Sequence, residues 1–161
     1  MLRQYWWKIL SFVLLMYTCI MGFLVQVPVL DDRMQQSVRN LFFHVPMWFC
    51  MQILFIVSVI YAIMYLVKPK SAYDSYSLEF ARTGVGFGLL GLVTGAIWAK
   101  YQWGAAWSGD PKQNGAAIAL LIYLAYFVLR GSLTDIDKRA RIGAVYNIFA
   151  FAMLFPTIWI L

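Results

Sequence analysis

Charge is scarce in this chain. Asp, Glu, Lys and Arg together make up 12% of its 161 residues, about half the share of a soluble domain. With 63% of residues hydrophobic, the solvent of this single domain is lipid. Cysteine is limited to Cys19 and Cys50, both inside apolar runs, where they read as small hydrophobes rather than as a disulfide or a ligand pair. No C-x-x-C-H occurs, which excludes a c-type haem attachment site in this chain. There is no basic stripe on a soluble helix, no RNP motif and no zinc spacing, so nucleic acid is not an expected partner. No Asp, Glu, Lys or Arg lies in the middle of a long apolar segment, which argues against a proton relay or voltage sensor.

What the chain does have is five apolar segments of spanning length, at about 6–27, 45–67, 84–101, 115–129 and 142–161, since ~20 helical residues cross ~30 Å of hydrocarbon. The expected fold is an all-α, polytopic transmembrane bundle, one integral membrane domain over residues 1–161. The first apolar run is too long for the core of a signal peptide and lacks a small-x-small cleavage site, so it reads as a retained span. The fifth runs to Leu161 without a polar flank, and the expectation is that a longer protein continues beyond it.

The net charge of +6 is a topology signal. With the N-terminus in the cytoplasm, Arg3, Lys8, Lys68, Lys70, Arg82, Arg130, Lys138, Arg139 and Arg141 fall on that side. Only Arg33, Arg39, Lys100 and Lys112 fall outside. In the first external loop, Asp31 and Asp32 suit a helix start. Met34, Val38, Leu41 and Phe42 then suit a short amphipathic helix on the membrane surface. Gly84/Gly88 and Gly91/Gly95 form G-x-x-x-G pairs that admit close helix approach; the same spacing leaves room for a bulky ligand. The glycines do not read as a phosphate loop, because no strand or βαβ unit surrounds them.

Two features carry chemistry. His44 is the one histidine. Pro46 suits a first helical turn, which puts His44 near a helix start at the external surface, and a neutral imidazole there is a metal ligand. The connector Trp103-Gly104-Ala105-Ala106-Trp107-Ser108-Gly109-Asp110-Pro111-Lys112 lies between the third and fourth spans, on the same side. Indole faces, a carboxylate and a lysine together suit a large flat ligand with polar edges. Trp98, Tyr101, Trp103 and Trp107 also fit an interfacial aromatic belt, and Asp110 before Pro111 also fits a helix cap. On the belt reading the chain is a non-haem structural or transport subunit.

Trp-Gly-x-x-Trp-x-x-Asp-Pro-Lys between two spans resembles the tryptophan-rich signature of the haem-handling membrane proteins of cytochrome c maturation, of the CcmC and CcsA type. Thr94-Gly95-Ala96-Ile97-Trp98-Ala99 before it, Phe43-His44-Val45-Pro46, Asp137-Lys138-Arg139 and the stretch from Asn147 to Pro156 are similar as well. Length and spacing favour the CcmC type, while Asp110-Pro111-Lys112 is closer to CcsA. The resemblance implies non-covalent, transient binding of haem b by Trp98, Trp103, Gly104, Trp107, Asp110, Lys112 and His44, with His44 an axial ligand of the iron. It implies delivery to a periplasmic haem chaperone, alongside the ATP-binding cassette subunits of the same system, from the bacterial inner membrane. It implies no catalysis by the chain, although a CcsA-type cytochrome c synthase component is the alternative. Two departures stand out. Gly109 occupies a position where the family commonly has a further Trp. A sixth span and a second external histidine, which the family has, are expected beyond Leu161.

Overall fold

The computed structural model describes residues 2–26, 34 and 36–160. Among them are no strands, and five helical segments are long and apolar enough to cross a membrane. They are built from α1 (Leu2–Leu24), α2 (Leu41–Val67), α3 (Ser71–Trp103), α4 (Pro111–Ser132) and α5 (Ile136–Ala152). A 3-10 turn, Gln36–Asn40, leads directly into α2, and a π-helical turn, Phe155–Ile160, follows α5.

The helices depart from the hydropathy boundaries for local reasons. The third begins at Ser71, well before position 84, because hydropathy sees only the lipid-facing part of a helix that is about 50 Å long at 1.5 Å per residue. Its first turns carry Asp74, Glu79 and Arg82, and an exposed Glu79–Arg82 pair closes at 2.6 Å. The expected separate surface helix is instead a single turn continuous with α2, while Asp31, Asp32 and Arg33 lie outside the described residues. Pro46 consequently sits inside α2 rather than in its first turn. The fifth span is not one α-helix: Pro156 has no N–H for the regular ladder, and the backbone passes into the π-helical turn around it. Both cysteines are free and half-buried.

The glycine row of α3 explains how α2 packs. A Cβ on Gly84 would strike Phe55, on Gly88 Met51 and Leu120, on Gly91 Trp48, and on Gly95 His44. Reading α3 towards its C-terminus thus meets α2 side chains in descending order, an antiparallel pair with each large group of α2 seated on a bare backbone. Lipid offers no hydrophobic drive between helices, so such close contact supplies the packing energy. Phe55 in turn stacks on Tyr123 of α4, with ring centres 3.7 Å apart. Gly115 of α4 lies against the Thr157 carbonyl, where a side chain would collide with backbone. Helix α1 stands largely apart, held where Gly22 meets Phe43 and where Arg39 donates to the Gly22 and Val25 carbonyls at 3.3 and 2.7 Å.

A substitution pair tests this row. Gly88→Val forces Met51 and Leu120 aside and costs about 1–3 kcal/mol by overpacking. Gly86, whose Cβ would meet nothing within 4 Å, tolerates Ala and gains up to about 1 kcal/mol of helix propensity. Reversible unfolding in detergent checks both. Equal behaviour of the two variants would contradict the packing role.

Candidate functional site

Polar residues buried along α2–α5 leave one end of the bundle for the site. At the other end, Arg130 in the last turn of α4 donates to both Asp74 carboxylate oxygens at 2.7 and 2.8 Å. Further in, Asn147 donates to Ser58 Oγ at 2.7 Å and to Ser77 Oγ at 2.9 Å. These groups tie the helices together and lie away from the connector.

The connector is built by capping. Gly104 ends α3 with φ +81°, its N–H on the Lys100 carbonyl at 3.0 Å; a left-handed residue is the usual helix stop and glycine adopts it freely. Gly109 has φ +74°, a left-handed backbone conformation that a side chain strains. Asp110 then caps α4. Its carboxylate accepts from Lys112 N at 2.9 Å and Gln113 N at 3.2 Å, with Pro111 in the first turn. Gln113 braces the loop, donating to the Ala106 carbonyl at 3.0 Å and accepting from Ser108 N at 3.2 Å.

These elements enclose an open cleft of about 390 Å³, in the range of small-molecule sites. His44 and Trp48 of α2, Trp98 and Trp103 of α3, and Asp110 and Lys112 at the start of α4 line it. Trp98 and Trp103 meet edge to face with ring centres 5.5 Å apart. Lys112 is exposed, its Nζ donating to the Ile158 carbonyl at 3.1 Å.

Of the residues singled out in the sequence, His44, Trp98, Trp103, Asp110 and Lys112 therefore converge. Trp107 and Gly104 are not among the lining residues: Trp107 is exposed, and Gly104 serves as the helix stop. Of the other cations expected outside, Arg39 and Lys100 border two other cavities. Trp48 and Gln113 were not singled out. Both were within reach of local rules: Trp48 stands at i+4 from His44 on one helix, a spacing at which side chains are neighbours, and Gln113 directly follows the connector.

The partners of His44 determine its tautomer. Nδ1 lies 3.0 Å from the Gly91 carbonyl and 3.1 Å from Thr94 Oγ1. The Thr94 hydroxyl donates to the Leu90 and Gly91 carbonyls, so its oxygen is left to accept. Nδ1 must therefore carry the hydrogen. Nε2 accepts from the Trp48 indole N–H at 3.2 Å, and indole nitrogen is a donor only. The ring thus presents its lone pair at Nε2 while Nδ1–H is anchored on a carbonyl, the arrangement that orients and strengthens metal-ligating histidines. A bare metal ion has no matching ligand set, since among the described residues no three His, Cys, Asp or Glu side chains cluster. One imidazole, flat indole walls and a cation suit a planar group that brings its own equatorial ligands.

Replacing Asp110 separates its two roles. Asp110→Ala loses the cap, worth about 1 kcal/mol, whereas Asp110→Asn keeps it and removes only the charge. Thermal unfolding in detergent distinguishes them, and equal losses would show that the charge rather than the cap carries the stability.

Comparison with known proteins identifies the family. The chain belongs to the family described as CcmC, Heme exporter protein C, whose sequence model matches residues 2–158. It is 26% identical over 115 residues to the Heme exporter protein C of Paracoccus denitrificans (strain Pd 1222), covering 71% of this chain and 48% of that protein. It is 38% identical over 81 residues to the Cytochrome c biogenesis protein CcsA of Synechococcus sp. (strain CC9605), covering 49% of this chain and 27% of that one. The corresponding protein of Thermosynechococcus vestitus is 46% identical over 56 residues, 34% of this chain and 18% of its own length. The chain thus spans about half, or less, of the length of these relatives.

Proposed function

We propose that this member of the family binds haem b and hands it on during cytochrome c maturation, acting as one integral membrane domain over residues 1–161. Haem is cargo, held transiently and without a covalent bond. His44 Nε2 ligates the iron from one side, Trp98 and Trp103 contact the porphyrin, and the Lys112 ammonium, which has N–H groups beyond the one on Ile158, pairs with a propionate. The N-terminus is cytoplasmic, and the cleft opens on the periplasmic face of the bacterial inner membrane. From there haem passes to a periplasmic chaperone, with ATP-binding cassette subunits as partners. No bond within haem is made or broken, so the chain is not an enzyme. The observation that carries the reading is the anchored His44, its Nδ1–H on the Gly91 carbonyl at 3.0 Å, in a cleft shared with Trp98, Trp103 and Lys112.

A second reading, a component of a CcsA-type cytochrome c synthase, is supported by the higher identity to the CcsA proteins over the shorter shared stretch. The two part on chemistry. Detergent-purified protein mixed with ferric haem is expected to develop a Soret band shifted from that of free haem, and to release the haem to the chaperone unaltered. Absence of a haem spectrum sinks both readings. Thioether formation on an apocytochrome peptide without the chaperone favours the second.

A further inference from the structure

The lone pair that would ligate iron is already engaged. His44 Nε2 accepts the Trp48 indole N–H at 3.2 Å, and with Nδ1 protonated it has no second lone pair in the ring plane to offer. Iron and indole therefore compete for one site. We propose that Trp48 is a gate on the cleft: its N–H holds Nε2 in the cargo-free protein, and haem ligates only when that hydrogen bond is released. The proposal rests on the haem reading above.

Three features of the structure support a side chain that can give way. Trp48 lies one helical turn after His44 on the same face of α2, and both rings line the cleft. The rings meet edge to face, 6.1 Å between centres and 80° apart, so they do not stack face to face. Beneath the indole, α3 offers Gly91, where even a Cβ would come within 3.0 Å of the ring. The partly buried indole also packs against the core cluster, so the open cleft, which it lines, is the side on which it has room to move.

In the step, the Nε2 lone pair exchanges one partner, the indole N–H, for another, the iron. The N–H···Nε2 bond opens, and a dative bond from Nε2 to iron forms. Nδ1–H stays on the Gly91 carbonyl throughout, and no proton or electron is transferred. A hydrogen bond of ordinary net strength leaves Nε2 free about a tenth to a third of the time. Apparent affinity falls by the same factor. Such a loss suits a protein that must give up its cargo: indole recaptures Nε2 as the iron leaves.

The test titrates ferric haem into detergent-purified wild type, Trp48→Phe, Trp48→Leu and His44→Ala. Both Trp48 variants lack the donor, so if one fails to fold by circular dichroism the other serves. The expected result is binding about threefold to tenfold tighter in the Trp48 variants than in wild type, and much weaker in His44→Ala. Unchanged or weaker binding in the Trp48 variants, with His44→Ala still impaired, overturns the gate and leaves the haem reading intact. Equal binding by wild type and His44→Ala overturns the haem reading and the gate with it. Ultraviolet resonance Raman spectra of the wild type give an independent check. Haem loading is expected to lower the hydrogen-bonded indole signal, and an unchanged signal overturns the gate.

Discussion

His44→Ala, purified in detergent, is expected to bind ferric haem at least about 100-fold more weakly than wild type. Removing a group that merely orients a metal ligand already costs 10–100-fold in affinity, and on the proposed haem reading the ligand itself is lost. On the proposed reading, the remaining contacts, the faces of Trp98 and Trp103 and the Lys112 ammonium, would hold a porphyrin without addressing its iron. The Soret band of any residual complex should therefore resemble haem without a protein nitrogen ligand. Added imidazole fills the space vacated by the side chain and is expected to restore the ligated spectrum. The substitution has a structural cost too. The Trp48 N–H loses its acceptor, and an unmade hydrogen bond costs about 1–3 kcal/mol if the group stays dry. Unfolding is measured alongside, so that weak binding by a partly unfolded protein is not taken for loss of a ligand. Adding Trp103→Ala removes one indole wall as well. Full haem loading and normal cytochrome c assembly by that double variant would end the haem assignment.

How much of this was legible in advance depended on the distance over which each residue acts. Asp110 and Pro111 state a helix start within two positions, and the structure places the cap there. The five spans follow from local hydropathy, yet the start of α3 at Ser71 does not, because its first turns are polar and helix continuity is not a hydropathy property. A local rule makes Pro46 a first-turn residue, but the preceding 3-10 turn moves the start of α2 back to Leu41. The site followed the same division. His44, Trp98, Trp103, Asp110 and Lys112 are conspicuous by residue type and converge. Trp107 is equally conspicuous, but it is exposed and does not line the cleft. The α3 glycines admitted two readings, helix packing or room for a ligand. In the fold they do the first in a way that bears on the second, since Gly91 and Gly95 seat the rings of Trp48 and His44 themselves. Nothing in the sequence pairs Asp74 with Arg130 or Asn147 with Ser58, because each partner is ordinary in its own helix and they meet only across the bundle.

The Asp74–Arg130 pair carries the largest expected effect on stability. Its side chains are only 18% and 7% exposed, and the guanidinium makes two parallel bonds to the carboxylate, the geometry that gives Arg–carboxylate pairs their strength. The Arg130 side chain also passes under α5, where a Cβ on Gly143 would strike it, and its Cζ lies 5.7 Å from the centre of the Tyr126 ring. One side chain thus joins α3, α4 and α5. Arg130→Met strands a carboxylate at the end of the bundle, and Asp74→Leu strands a guanidinium. Each is expected to cost about 3–5 kcal/mol, the penalty for breaking a buried pair from one side. The double replacement leaves no orphan charge and is expected to recover most of that loss, which a double-mutant cycle measured by unfolding in detergent reads directly. Added salt should change the result little, because buried pairs are weakly screened. Losses below about 1 kcal/mol for both single variants, or a double variant as unstable as their sum, would show that the pair is solvated in the membrane protein. The cleft lies at the other end of α3: from Asp74 to Trp98 the helix rises about 36 Å at 1.5 Å per residue. Provided the variants are folded, their haem affinity is expected to match wild type. Combining the double replacement with His44→Ala should then give additive effects, stability set at one end of the helix and ligation at the other.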